Sequence, residues 1–241
     1  MRDYKKETEE RVEFIRSKMN DAHASGLVFG NSGGKDSALV GILCKMATEN
    51  VLAVAMPCSS KRNYGEDMDD AKRLAENFGI EMVVVDLTKT KEDMLGALGM
   101  DITDAAKANI APRLRMTALY SIAQTRNSLV VGTGNRSERY MGYFTKWGDG
   151  ACDINPISDL TATEVFEFLR YLNAPSNIIE KAPSAGLFEG QTDESEMGVT
   201  YRAIDEYITT GNTDEASKTI IDRYHRISEH KRRMPVTFKE D

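Results

Sequence analysis

Apolar positions along the chain follow two alternating periods. Val12, Ile15, Met19 and Ala22 fall at helical spacing, which predicts an amphipathic helix from about Asp3 to the Ser25-Gly26 pair. Leu27-Val28-Phe29-Gly30 reads as a short buried strand. Leu39, Ile42, Leu43 and Met46 predict a helix whose polar face is only partly hidden. Val51 to Met56 is a near-continuous apolar run stopped by Pro57, the pattern of a strand covered on both faces. Met68, Ala71, Leu74 and Phe78 predict a helix ended by Gly79, and Ile80 to Val85 a third strand of the same covered type. Such alternation of apolar strands with helices implies parallel βαβ units with right-handed crossovers.

Pro112 falls in the first turn of a further helix, which Asn109 would cap, and Leu119, Ile122 and Ala123 continue its buried face. Leu129 to Gly132 reads as a fourth strand. Beyond Gly150 the character changes. Val165, Phe168, Leu169 and Leu172 predict one helix, and Ala216, Ile220, Ile221, Tyr224 and Ile227 another, with no strand between them. Ser184 to Gly198 is rich in Gly, Ser and acids, lacks periodicity, and reads as a loop of a length that is usually functional. The expected fold is α/β: a doubly wound parallel sheet flanked by helices, with a helical C-terminal part, in a single domain over 1–241.

Composition narrows the class of protein without naming a chemistry. The 31 basic and 38 acidic residues leave a net charge of −7, against a broad nucleic-acid surface, which needs clustered cations. No apolar run is long enough for a membrane span, and the acidic, apolar-poor start Met1 to Glu7 predicts no signal peptide. Cys44, Cys58 and Cys152 form no CxxC pair and read as reduced thiols of a cytoplasmic protein.

The chemistry begins at Ser32-Gly33-Gly34-Lys35-Asp36-Ser37, between a predicted strand and a predicted helix. A helix N-terminus there offers N–H groups and positive dipole to an anion, and adjacent glycines let backbone approach phosphate oxygens. Asp36 would repel a bare phosphate but suits a Mg²⁺ ion bridging to one. The string is not a Walker A loop: only Asn31, Ser32 and Gly33 separate Gly30 from Gly34-Lys35, and Asp36 stands at the hydroxyl position. Gly132-Thr133-Gly134-Asn135-Arg136-Ser137-Glu138 follows the fourth strand, where a doubly wound fold also places ligand contacts. Glu138 facing Asp36 would complete a Mg²⁺ site.

The loop resembles the SGGxDS pyrophosphatase loop of enzymes that cleave ATP to AMP and pyrophosphate while adenylating a substrate oxygen. Further strings follow in order: Gly142 to Gly150, Asp153-Ile154-Asn155-Pro156, Ala182 to Leu187, Gly190 to Glu194, and Glu229-His230-Lys231-Arg232-Arg233. Together these resemble the NAD synthetase family, from the first strand to near the C-terminus. The resemblance implies amidation of deamido-NAD by ammonia, driven by ATP and passing through an adenylate, the last step of NAD formation. It implies ATP contacts from Gly30, Asn31, Ser32, Gly33, Gly34, Lys35, Asp36, Ser37, Thr133 and Ser184, and Mg²⁺ ligation by Asp36 and Glu138. It also implies deamido-NAD contacts from Arg113, Lys146, Asp153, His230 and Lys231, with Asp149 receiving and deprotonating ammonium. The family is homodimeric, with the dinucleotide at the subunit interface, so a two-fold dimer around Asn109 to Thr125 is expected.

Several of these residues have plainer readings. Arg113 and Arg115 suit a solvated helix face, His230 an exposed basic tail, Trp147 core packing, and Met100, Met116 and Met141 the core. One position departs from the family: a lysine that contacts ATP phosphate there is Ala162 here. Glutamine-dependent members carry an additional amidase domain for which 241 residues leave no room, so free ammonia is the expected nitrogen donor. Two other readings compete, another ATP pyrophosphatase such as a GMP-synthetase-like or tRNA-modifying ligase, and a nucleotide sensor without catalysis. The acidic balance speaks against tRNA, and Asp36, Glu138 and Asp149 together speak against a pure binder.

Overall fold

A computed structural model describes residues 2–59, 64–179 and 193–238. Its centre is a four-stranded parallel sheet of β1 (Gly26–Gly30), β2 (Val51–Ala55), β3 (Glu81–Val84) and β4 (Ser128–Val131), in the order β3-β2-β1-β4. Strand order reverses between β1 and β4, so the loops after these two strands open side by side, the position where doubly wound sheets bind ligands.

The helices before and between the first three strands are α1 (Tyr4–Asp21), α2 (Lys35–Ala47) and α3 (Glu66–Phe78). Next come α4 (Thr88–Leu98), α5 (Asp104–Ala108) and α6 (Ile110–Thr125), which lead into β4. The helical C-terminal part holds α7 (Arg136–Met141), α8 (Ala162–Tyr171), α9 (Ser176–Ile179), α10 (Asp193–Met197), α11 (Tyr201–Thr210) and α12 (Glu215–Ile227). Among the described residues no helix is long and apolar enough to cross a membrane.

Side chains alternate across the sheet, and each face finds its own cover. Leu27, Phe29, Val51 and Ala53 pack with Ile15, Leu39, Leu43 and Phe168, so α1, α2 and α8 cover one face. Val28, Leu52, Val54 and Val130 pack against Met116, Leu119 and Ala123 of α6 on the other. A third cluster, Met141, Ala162, Met197, Tyr201, Ile204 and Ile221, ties the C-terminal helices together.

Four expectations change. The third strand is an edge, not a covered strand, and leaves Val84 52% exposed. From Lys35 to Cys44, α2 buries nearly every side chain, because α1 and α8 both lie against it, and only Met46 emerges at its end. Asn109 does not cap α6: its side chain accepts instead from the Thr145 hydroxyl at 2.6 Å. The last part of the expected loop Ser184 to Gly198 is the helix α10, while Ser184 itself lies outside the described residues.

Candidate functional site

The phosphate loop is shaped by its own short-range bonds. Gly33 has φ +73°, and a Cβ there would run into the Asp67 carbonyl, so only glycine fits. Buried Asn31 donates to the Ala71 carbonyl at 2.9 Å and accepts from the Gly33 amide, pinning the loop to α3. Ser32 and Ser37 place their hydroxyls 3.1 Å apart. Gly34 precedes α2 with no side-chain cap, so the helix start is open to an anion.

Across the sheet, the loop after β4 begins α7 with a capping box. The Glu138 amide donates to the Asn135 side-chain oxygen, and the Asn135 amide to Glu138 Oε2, each at 3.0 Å. Asn135 also donates from its side-chain nitrogen to Asp36 Oδ1 at 3.0 Å. One buried asparagine therefore connects the two predicted metal ligands. Burial, and then the charge of Asp36, push the Glu138 carboxyl well above its ordinary range.

This donor chemistry fits Mg²⁺. Among the described residues no three His, Cys, Asp or Glu side chains gather into a metal cage. Magnesium does not need one, because it keeps several waters and takes one or two carboxylates together with substrate phosphates. Two mutually repelling carboxylates beside a phosphate loop are that arrangement.

The loops after β1 and β4 open onto a cavity of about 1000 Å³. Gly30, Asn31, Ser32, Gly34, Lys35, Asp36, Ser37, Thr133, Glu138, Lys146, Asp149 and Lys231 line it, as does Arg115. Gly33, Arg113, Asp153 and His230 are not in this lining. Asp153 spends both oxygens on the fold, accepting from the Val130 amide at 2.7 Å and the Tyr120 hydroxyl at 3.1 Å. Arg113 lies exposed beside the lining and donates to the Lys146 carbonyl, while Lys146 donates to the His230 carbonyl at 2.7 Å. These contacts hold the basic C-terminal segment against the cavity rim. Lys231 adds bonds to the Gly142 and Phe144 carbonyls, each at 2.8 Å, and burial lowers its ammonium.

Asp149 sits deep in the cavity yet open to it, and accepts from the Thr145 amide at 2.9 Å. Its depth among protein atoms raises the carboxyl above its ordinary value, towards the range of a proton acceptor. Arg115 is not on a solvated face. It reaches inward to the Met56 carbonyl at 3.0 Å, and burial lowers its guanidinium while Cys58, Asp149 and Asp67 oppose that shift. Trp147 is not core: it stands 53% exposed at the rim with Lys146 over its ring. Met100 is likewise 71% exposed, whereas Met116 and Met141 are buried. Ala162 is buried in the third cluster, its amide held by the Ser137 hydroxyl.

Asn135, Asp193 and Tyr201 carry site geometry for which sequence reading gave no role, and Arg115 carries geometry where it expected a solvated face. Asn135 left a signal, an Asn three positions before a Glu at a helix start, and Asp193 stands in the string Gly190 to Glu194.

Comparison with known proteins adds an independent line. The family model described as NAD synthase matches residues 7–235. An NH(3)-dependent NAD(+) synthetase of Carboxydothermus hydrogenoformans is 48% identical over 237 residues, which cover 96% of each chain. A solved NMN synthetase from Francisella tularensis superposes with a TM-score of 0.94 at 38% identity, covering 98% of this chain and 99% of that one. An NH3-dependent NAD synthetase from Campylobacter jejuni gives 0.82 at 32% identity, covering 99% and 100%. With its phosphate loop and carboxylate pair on one cavity and its length matched almost end to end, the chain belongs to the NAD synthase family.

Proposed function

We propose that this protein is an ammonia-dependent ligase that converts deamido-NAD to NAD, with ATP cleaved to AMP and pyrophosphate. What carries the reading is that the phosphate loop, Asp36, Glu138 and Asp149 all open onto one cavity in a chain of this family. The nicotinate carboxylate oxygen attacks the ATP α-phosphorus, and the bond to pyrophosphate breaks. Ammonia then attacks the adenylated carbonyl carbon, and AMP leaves as the amide forms.

The loop 30–37 would hold the phosphates through backbone N–H groups and the Ser32 and Ser37 hydroxyls, with Thr133 beside them. Asp36 and Glu138 would hold Mg²⁺, which when bound neutralises triphosphate charge and stabilises departing pyrophosphate. Asp149 would take a proton from ammonium, and its raised carboxyl suits that task better than an ordinary aspartate. Lys146, Lys231 and Arg113 supply cations around the rim for a dinucleotide with two phosphates and a carboxylate. The family model's span supports a single domain. A cytoplasmic homodimer is part of the reading, supported by exposed Met94, Leu98, Met100 and Tyr120 on and beside α4 and α6. Sedimentation at micromolar concentration should give twice the 26.8 kDa chain mass.

The deciding assay supplies ATP, Mg²⁺, deamido-NAD and ammonium chloride and reads NAD and AMP in equal amounts. Absence of NAD with ammonium, or activity only with glutamine and a partner protein, overturns the reading. The high TM-score to a protein called NMN synthetase favours testing a second acceptor, the deamidated mononucleotide. A kcat/KM higher for the mononucleotide than for deamido-NAD would move the substrate assignment while leaving the chemistry unchanged.

A further inference from the structure

Besides the ATP contact that the resemblance implies for it, Lys35 is a buried charge already engaged by the protein itself. Its side chain is 5% exposed, and its ammonium pairs with Asp36 Oδ2. The rings of Phe166 and Tyr201 lie on it, each centroid 5.6 Å from Nζ. The Tyr201 hydroxyl donates to Asp193 Oδ2 at 2.9 Å, which fixes a further carboxylate nearby. Asp36, Glu138 and Asp193 all act electrostatically on this one ammonium.

Asp36 has both oxygens engaged: Oδ1 accepts from Asn135 and Oδ2 from Lys35. A metal ion that approaches Oδ2 meets the positive charge of the ammonium already bound there. We propose that Lys35 is a placeholder cation, a positioning residue that holds the Asp36 carboxylate in the metal-free site and competes with the divalent ion for it. This rests on the reading of Asp36 as a metal ligand. The Phe166 and Tyr201 rings give the displaced ammonium a seat, so Lys35 can release Asp36 without leaving the site. The competition keeps metal affinity low until ATP adds its phosphates to the ligand set, and so ties metal entry to nucleotide entry.

The test is Mn²⁺ binding to nucleotide-free protein, read as the loss of the free-ion paramagnetic resonance signal. Lys35→Met keeps the apolar stem among the rings and removes the competitor, so Mn²⁺ should bind roughly tenfold tighter than to the unaltered protein. Structural damage would weaken binding, so the sign separates the two roles. Lys35→Gln is the second variant and should also tighten binding, and it decides the matter if Lys35→Met does not fold. Equal or weaker Mn²⁺ binding in the folded variant overturns the proposal. Asp36→Asn is the control for the underlying reading. If it leaves Mn²⁺ binding unchanged, Asp36 is not a ligand and both fall; if it weakens binding while the Lys35 variants do not tighten it, the placeholder role alone falls.

Discussion

Among the described residues, two clusters of opposite charges are built to different ends, one part-buried at the N-terminus and one at the cavity. At the N-terminal clasp, Arg2 bonds Glu164 at 2.8 Å and Glu7 and Asp159 at 3.1 Å. Arg11 bonds Glu7 and Asp159 at 2.6 Å and also donates to the Pro156 carbonyl. Burial works to raise Asp159 and Glu164, but Arg11 and Arg2 overcome it and hold both carboxyls below their ordinary values. At the cavity, Glu138 is instead held far above its ordinary value, by burial and by Asp36. In the clasp cations hold the acids ionised, while in the cavity burial and a neighbouring carboxylate work against the ionisation of Glu138. Acids perturbed in this second way cluster at functional sites.

If that contrast is right, mutations in the two groups should fail in different assays. The largest effect belongs to Asp36→Ala, which should lower adenylate formation roughly a thousandfold or more, read as AMP released per folded molecule. Asp159→Ala in the clasp should leave the same rate nearly unchanged, and a comparable loss there would break the comparison.

Asp149→Asn comes next. It should cut ammonia-dependent turnover by about 10²–10⁴-fold while pyrophosphate–ATP exchange persists. Unchanged turnover with ammonium would remove Asp149 from the reaction.

In the clasp, Arg11→Met should cost about 2 kcal/mol of unfolding free energy in urea, because Glu7 and Asp159 lose the more buried of their two shared partners. KM for ATP should stay the same.

The smallest effects sharpen the contrast through pH. Asp159 and Glu164 titrate below their ordinary 3.8 and 4.5 in the folded protein, so their contribution is present above those values. It is lost as acid passes through the lowered ones. Arg2→Ala should therefore move the acid-unfolding midpoint up. Glu138 has the opposite sign. Folding keeps it protonated above 4.5, so its contribution falls as pH rises towards the raised value. Glu138→Gln should raise the metal-free Tm at pH 8 by a few degrees while weakening Mn²⁺ binding. A lowered Tm there would show that the folded protein stabilises the Glu138 carboxylate.

Much of this architecture is legible along the chain, for a physical reason. Strands β1 and β2 with α2, α3 and α8 bury continuous or periodic apolar residues, and periodicity is a local record of burial. The phosphate loop is legible because its shape depends on neighbours within a few residues. By contrast, α4 buries no side chain and so leaves no apolar stripe to read. At Asn109 the local capping preference lost to Thr145, 36 positions away. Asp153 stands in a family string, yet a strand amide and Tyr120 claim its oxygens, 23 and 33 positions distant.

The sequence by itself determined the order of the strands and of the helices that carry an apolar stripe, the glycine-rich phosphate loop and its pairing with two acids. Tertiary structure alone decided that one asparagine connects Asp36 to Glu138 and that Lys35 turns inward between Phe166 and Tyr201. It also decided that Asp193 joins them from the far end of the chain. Burial preference belongs to each residue and is written where the residue stands. The polar contacts of the cavity join the neighbours Lys35 and Asp36 to groups nearly a hundred or more positions away, and only packing brings those distant groups within reach.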